Sequence, residues 1–171
     1  MKQLKNTPGT QKAAAPAEKK PYFHVIATNR RARFDYHIEE TYEAGIQLAG
    51  SEVKALRSGR VDFIDSYAHV RNGECWLESL KIPLYVMAHV DLPKDNRSRR
   101  LLLKHREIVK LEEKSGKSGY TLIPLELYFK GSWVKVKIGV GRGKKEYDKR
   151  QTIKSNEANR EVARALKRGR R

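Results

Sequence analysis

Asn72-Gly73 stands between two short runs of alternating character, Tyr67 to Arg71 and Glu74 to Glu78. An Asn-Gly pair tolerates the positive φ that both central positions of a type I′ turn require, so a tight antiparallel hairpin is predicted. A two-residue loop also fixes register, and a slip of one residue would turn every side chain to the opposite face. In that register Ala68 faces Leu77 and Val70 faces Cys75 on one side. Tyr67 with Glu78, and His69 with Trp76, line the other. Cys75 therefore reads as a small core residue rather than a nucleophile.

Alternation recurs further along. Ile123, Leu125, Leu127 and Phe129 are expected to point inward, as are Val134, Val136, Ile138 and Val140, around a turn at Lys130-Gly131-Ser132. Pro124 lacks an N–H donor and implies an edge strand or a bulge. Upstream, Tyr36 to Leu48 is aromatic and β-branched enough for a long strand, with Gly45 expected at a bulge or bend. A short helix over Glu52 to Ser58 is closed by Gly59.

Residues 96–114 are predicted helical, because Leu101, Leu102, His105, Ile108, Val109 and Leu111 recur at helix spacing and Gly116 ends the run. His105 is then a hydrogen-bonded core residue. The front of that helix, Arg97-Ser98-Arg99-Arg100, sets three cations at the positive end of the helix dipole, where acids are favoured. A polyanionic partner explains the choice; so do Arg side chains splayed into water. Five or six antiparallel strands, with a helix before the last pair, define a mainly β fold: a small closed barrel of the OB type with flanking helices.

Composition then separates this barrel from its ends. The chain has 171 residues and a formal net charge of +17. Residues 141–171 hold twelve Lys/Arg against four Asp/Glu with few apolar side chains. Such a segment cannot bury a core, and it is expected to stay disordered until it meets a polyanion. Residues 1–20 are rich in Lys, Ala, Pro, Thr and Gln and read as a disordered basic lead-in. The organisation expected is thus 1–20 extension, 21–140 barrel domain and 141–171 basic tail. Phosphate is the natural counter-surface for this charge, so RNA or DNA leads as partner. One cysteine excludes an intramolecular disulfide and a Cys-based zinc cluster, and it fits a reducing, cytoplasmic setting. The N-terminus lacks the apolar run of a secretory signal, and no apolar run reaches the length of a membrane span. No membrane association is expected.

Catalytic patterns are weak. His24, His37, His69, His89 and His105 lack metal-ligand spacing. Gly139-Val-Gly-Arg-Gly-Lys-Lys145 satisfies neither the P-loop nor the dinucleotide-binding pattern and reads as a flexible cationic hinge. Asp62 and Asp65 suit turn capping as well as chemistry. No enzyme activity, metal or cofactor is expected. Binding chemistry is clearer: on the final strand Trp133, Lys135 and Lys137 face outward. A ring beside cations suits stacking on bases with phosphate neutralisation. The same residues also suit a Trp covering the sheet edge with lysines in water.

Asn29-Arg-Arg-Ala32, Ile38-Glu-Glu40, Tyr42-Glu-Ala-Gly45, Gly50-x-Glu-Val-Lys-x-Leu-Arg57, Asp65-Ser-Tyr67, Leu101-Leu-Leu103, Lys135-Val-Lys-Ile-Gly139 and Gly143-Lys-Lys…Asp148-Lys-Arg150 occur together and in order. The chain from about Ile26 to Arg150 closely resembles the small protein B family, the SsrA-binding proteins of bacterial trans-translation. The resemblance implies an OB barrel and a tail disordered until it reaches the ribosome. It implies binding to the tRNA-like domain of transfer-messenger RNA (tmRNA, SsrA RNA), one monomer per RNA. It further implies delivery to stalled ribosomes for rescue and peptide tagging, the tail probing the empty mRNA channel at the small-subunit decoding centre.

Carried over residue by residue, Glu43, Leu102 and Lys135 match positions that the family associates with tmRNA binding. Asn29, Arg30, Arg31, Glu52, Lys54, Arg57 and Trp133 lie in matching words, and Lys137 joins them from the outward face. A free carboxylate repels phosphate, so Glu43 is expected to orient an Arg or to accept from a ribose 2′-hydroxyl or base amine. Gly143, Tyr147, Asp148, Lys149 and Arg150 match the decoding-centre part of the tail. Many relatives carry His where this chain has Tyr147, which keeps an aromatic plane and gives up a protonatable contact. The alternative reading is a general ribosome-associated OB-fold RNA chaperone, which predicts single-strand binding without preference for a tRNA-like fold.

Overall fold

A computed structural model describes residues 22–83, 93–145, 147–148 and 157. The expectations of disorder for 1–20 and for most of 141–171 lie outside the described residues. Ten elements follow in order: β1 (Phe23–Thr28), α1 (Arg30–Asp35), β2 (Tyr36–Ile46), α2 (Gly50–Arg57), β3 (Tyr67–Arg71), β4 (Glu74–Glu78), β5 (Arg99–Leu102), α3 (His105–Ser115), β6 (Tyr120–Lys130) and β7 (Trp133–Gly143). The strands pair antiparallel in the order β1-β6-β3-β4-β5-β2-β7, and β6 also pairs with β7. Six strands therefore close into a barrel, and β1 adds to β6 from outside. The barrel core joins Ala44, Leu77, Leu101, Leu111, Leu122, Leu127, Val136, Ile138 and Val140. The mainly β barrel with flanking helices is the expected fold class.

The β3–β4 hairpin has the predicted turn and register: Asn72 and Gly73 take φ of 52° and 72°, and Ala68, His69 and Val70 lie opposite Leu77, Trp76 and Cys75. Cys75 is fully buried, and that burial pushes its thiol up to about 11, well away from a reactive thiolate. Gly59 follows α2 with φ of 76°, as a glycine stop requires.

Other expectations are corrected. The helix predicted over 96–114 begins only at His105, because Arg99 to Leu102 form a strand with Arg99 and Leu101 inward and Arg100 and Leu102 outward. Its arginines therefore do not crowd a helix N-terminus: Arg97 and Arg99 pair with Glu52, and Arg100 pairs with Glu74. His105, the first helical residue, is exposed rather than in the core. Gly45 is not a bulge. Its pairing is regular, and the register of β2 shifts between Ile38 and Glu40 instead.

Two further corrections concern the last hairpin. Pro124 does mark a bulge, with the register of β6 against β7 shifting between Pro124 and Glu126. The extra residue inverts the pleat. Ile123 and Leu125 consequently pack with Ala32 of α1, outside the barrel core that holds Leu127 and partly buried Phe129. Finally, the glycine-rich run after Ile138 is no hinge. It continues β7 to Gly143, past residue 140. A Cβ on Gly139 would lie 2.9 Å from Leu125 Cδ1, and one on Gly141 would lie 2.8 Å from Ile38 Cδ1. The glycines make room for side chains on the outside of the strand.

A short helix unforeseen in the sequence, α1, starts where Asn29 caps it. The Asn29 Oδ1 accepts from the Ala32 N–H at 3.0 Å, and its Nδ2 donates to the Pro124 carbonyl at 3.0 Å.

Candidate nucleic-acid interface

Register assembles the site. On the outside of the barrel, Val25, Tyr128, Lys135, Gly45 and Leu102 lie directly opposite one another in a single row across β1, β6, β7, β2 and β5. The neighbouring row on one side holds Glu126, Lys137 and Glu43, and on the other Phe23, Lys130 and Trp133. Directly paired residues share a face of the pleat, so these three rows form one surface. Glu43, Leu102, Lys135, Trp133 and Lys137 are thus brought together on this face.

Gly45 sets the shape of the middle row. It is buried, and a Cβ there would stand 3.2 Å from the Leu102 Cβ. Leu102 lies across this gap while remaining 55% exposed. The exposed leucine and, two strands over in the next row, the exposed tryptophan offer apolar surface to a flat ligand.

Glu43 supplies the polar order. Its carboxylate accepts from the Tyr128 hydroxyl at 2.7 Å and from Lys130 Nζ at 3.0 and 3.1 Å. The Tyr128 and Lys130 bonds hold its carboxyl below the ordinary carboxylate value, so it stays charged at neutral pH. Burial and the Glu43 hydrogen bond push the Tyr128 phenol upward, and it stays protonated. The expected arginine partner for Glu43 is therefore corrected: a tyrosine and a lysine occupy it. A second carboxylate, Glu126, receives Lys137 at 2.8 Å and Arg33 at 3.2 Å. Between these two neutralised lysines, Lys135 makes no hydrogen bond or ion pair among the described residues. Its charge is available to an anion.

The other sequence-derived residues lie elsewhere. Asn29 is committed to capping α1. Arg30 and Arg31 are exposed beside a separate cleft of about 460 Å³ that Asp62, Ile64 and Tyr67 also line. Asp62 serves its turn there by accepting from the Ile64 N–H at 2.9 Å. Lys54 and Arg57 are exposed on α2, whereas Glu52 is buried. Gly143 ends β7, and Tyr147 and Asp148 are exposed; Lys149 and Arg150 lie outside the described residues. Tyr128, Lys130 and Phe23 were missed. The turn at Lys130-Gly131-Ser132 carried a signal for two of them, since it sets Lys130 opposite Trp133 and Tyr128 opposite Lys135. Among the described residues, no group of three His, Cys, Asp or Glu is placed to hold a metal, and no helix is long and apolar enough to cross a membrane.

A closed antiparallel barrel presenting rings and an unneutralised lysine on one outer face has the plan of an OB-fold RNA-binding protein. Residues 26–168 match the model of the SmpB protein family. An SsrA-binding protein of Thermobifida fusca is 52% identical over 146 residues, 85% of this chain and 91% of that relative. One from Synechocystis is 48% identical over 153 residues, 89% of this chain and 99% of the relative. A solved chain from work described as "tmRNA-SmpB: a journey to the center of the bacterial ribosome" aligns with a TM-score of 0.62 and 47% identity, covering 70% of this chain and 85% of that one. The chain belongs to the SmpB protein family.

Proposed function

We propose that this chain binds the tRNA-like domain of tmRNA and brings it to stalled ribosomes, where the stalled peptide is tagged and the ribosome rescued. The observation that carries this reading is the middle row of the outer face. Lys135, free of ion pairs among the described residues, stands between the apolar Leu102–Gly45 step and buried Tyr128, with Glu43 and Glu126 holding the flanking lysines. Phosphate contacts fix position and supply salt-dependent affinity, while exposed rings and apolar side chains engage unpaired bases. The relatives that match most of the chain carry the name SsrA-binding protein, which supports the choice of RNA.

In this reading the barrel, whose last strand runs to Gly143, carries tmRNA recognition through Glu43, Leu102, Lys135, Trp133 and Lys137. Arg30, Arg31, Lys54 and Arg57 form secondary basic contacts away from that face. The chain beyond β7 enters the vacant mRNA channel near the decoding centre, with Tyr147, Asp148, Lys149 and Arg150 leading, and Gly143, the end of the strand, marks where it departs. The protein acts in the cytoplasm as a monomeric binding factor, one per tmRNA, and its contribution is placement rather than catalysis.

Truncation after Gly143 tests the division. Affinity for the tRNA-like domain at low salt is expected to stay within a few-fold, while tagging of a stalled peptide collapses. Near-normal tagging by the truncated chain would reduce the tail to an electrostatic anchor.

A further inference from the structure

The outer face does not end at the closed barrel. On β1, Phe23 lies opposite Lys130, and Lys130 lies opposite Trp133, so two aromatic residues flank a cation across three adjacent strands. Phe23 is 58% exposed and Trp133 75% exposed. Strands sit about 4.8 Å apart, which sets the two residues roughly 10 Å from each other.

This row is held from beneath and from the end. The Phe23 ring rests on the ring of Tyr128, with centroids 4.8 Å apart. Tyr128 is 3% exposed and is tied in turn to Glu43. At the hairpin tip the Gly131 N–H donates to the Tyr22 carbonyl at 2.7 Å, joining the start of β1 to the turn between β6 and β7. The Lys130 side chain leaves this row and its ammonium reaches Glu43, two rows away, so its charge is spent on that carboxylate rather than set between the rings.

We propose that Phe23 and Trp133 form a two-ring stacking ledge for unpaired nucleobases of the bound RNA, with Lys135, one row over and without an ion pair among the described residues, facing the sugar-phosphate backbone. Every base has a π-face, whereas a paired and stacked base has none to spare, so the ledge selects a loop or an opened strand. The unpaired Lys135 beside Trp133 on β7 favours RNA over an apolar protein surface as occupant. The ledge rests on the RNA-binding reading of the face, and it assigns a binding role to β1, the strand outside the barrel.

The test titrates a transcript of the tRNA-like domain of tmRNA against the full chain and four variants: Phe23→Ala, Phe23→Tyr, Phe23→Leu and Lys135→Ala. Stacking on an aromatic residue is worth ~1–3 kcal/mol per base, so Phe23→Ala is expected to weaken binding about fivefold or more. Phe23→Tyr is expected to stay within twofold of the parent. Phe23→Leu retains apolar cover over Tyr128 and lacks a plane, so it is expected to follow alanine. Leucine binding as well as tyrosine would overturn the ledge in favour of plain packing. Unchanged binding by all Phe23 variants, with Lys135→Ala weakened, would overturn the ledge and leave the face reading standing. Unchanged binding by Lys135→Ala as well would remove the face reading itself.

Discussion

Arg99 is fully buried, and its Nε donates to Oε1 of Glu52 at 2.9 Å across forty-seven positions of sequence. The remaining guanidinium protons reach the carbonyls of Leu80, Asp95 and Arg97, while Glu52 also takes Arg97 and the Ala49 N–H. Arg99 begins the strand that carries Leu102, so this buried pair fixes the apolar step of the outer face from inside the fold. Burial pushes the Glu52 carboxyl up, but the Arg97 bond, the Ala49 N–H and Arg99 outweigh it and leave the carboxyl below its ordinary value of 4.5.

Glu52→Gln is expected to cost ~3–5 kcal/mol of stability, because it leaves a buried guanidinium without its counter-charge. A depressed folded value means stability present above the unfolded value and lost as pH falls through the folded one. The parent chain should therefore weaken in acid below about pH 4.5, and the Glu52→Gln variant should lose that part of the slope. Urea melts from pH 7 to pH 3 check both; parallel curves would assign the acid sensitivity to other groups.

Two glycines on the barrel exterior should separate stability from recognition. Gly141→Ala forces a Cβ to within 2.8 Å of Ile38 Cδ1 and 3.1 Å of the His37 carbonyl, so a loss of ~1–3 kcal/mol in folding is expected. Gly45→Ala sets its Cβ 3.2 Å from the Leu102 Cβ, so β2 and β5 need to part by only a few tenths of an ångström, and that shift displaces the exposed leucine. Its cost should appear mainly as weaker RNA binding. Melting temperature and affinity measured together on both variants decide this.

Removing Lys135 should remove about one phosphate contact. The slope of log K against log salt is then expected to fall by ~0.7–0.9 in Lys135→Ala. Lys137→Ala should change it less, since Glu126 already neutralises that ammonium. An equal drop for both would show that the ion pair opens on binding.

Glu43→Gln keeps an oxygen for the Tyr128 hydroxyl and gives up the charge that restrains Lys130; Glu43→Ala gives up both. Added net positive charge should raise affinity for unstructured RNA in each. Specific affinity for the tRNA-like domain should fall further in the alanine variant. The ratio of the two affinities is the quantity to follow, and a ratio unchanged in both variants would leave Glu43 without a positioning role.

Local chemistry was legible and distant pairing was not. Asn72-Gly73 dictated its own turn, and alternation alone placed Trp133, Lys135 and Lys137 outward. Arg99 to Leu102 misled because Leu101, His105 and Ile108 keep helix spacing, while the reason to extend lies in Glu52 and in Gly45. A four-residue strand has too few repeats to reveal a period of two. The bulges after Ile38 and Pro124 each reverse a face through one residue, and Pro124 alone gave warning. Glu43 could be named from family resemblance, yet its partner Tyr128 lies eighty-five positions away.

β7 bears Trp133, Lys135 and Lys137 and runs without a break to Gly143, where the basic tail begins. It is laddered on one side to β2 and on the other to β6 along nearly its whole length. Just beyond it, the Lys144 N–H donates to the Asp35 carbonyl at 2.9 Å and its ammonium reaches the Arg33 carbonyl at 3.1 Å, moored to α1. A pull on the chain beyond Lys144 therefore loads β7 in shear, with many backbone hydrogen bonds resisting at once instead of peeling open one by one. Tension beyond Lys144 and the face that bears Trp133 and Lys135 share a single mechanical member, so displacement at one end is transmitted to the other with little slack.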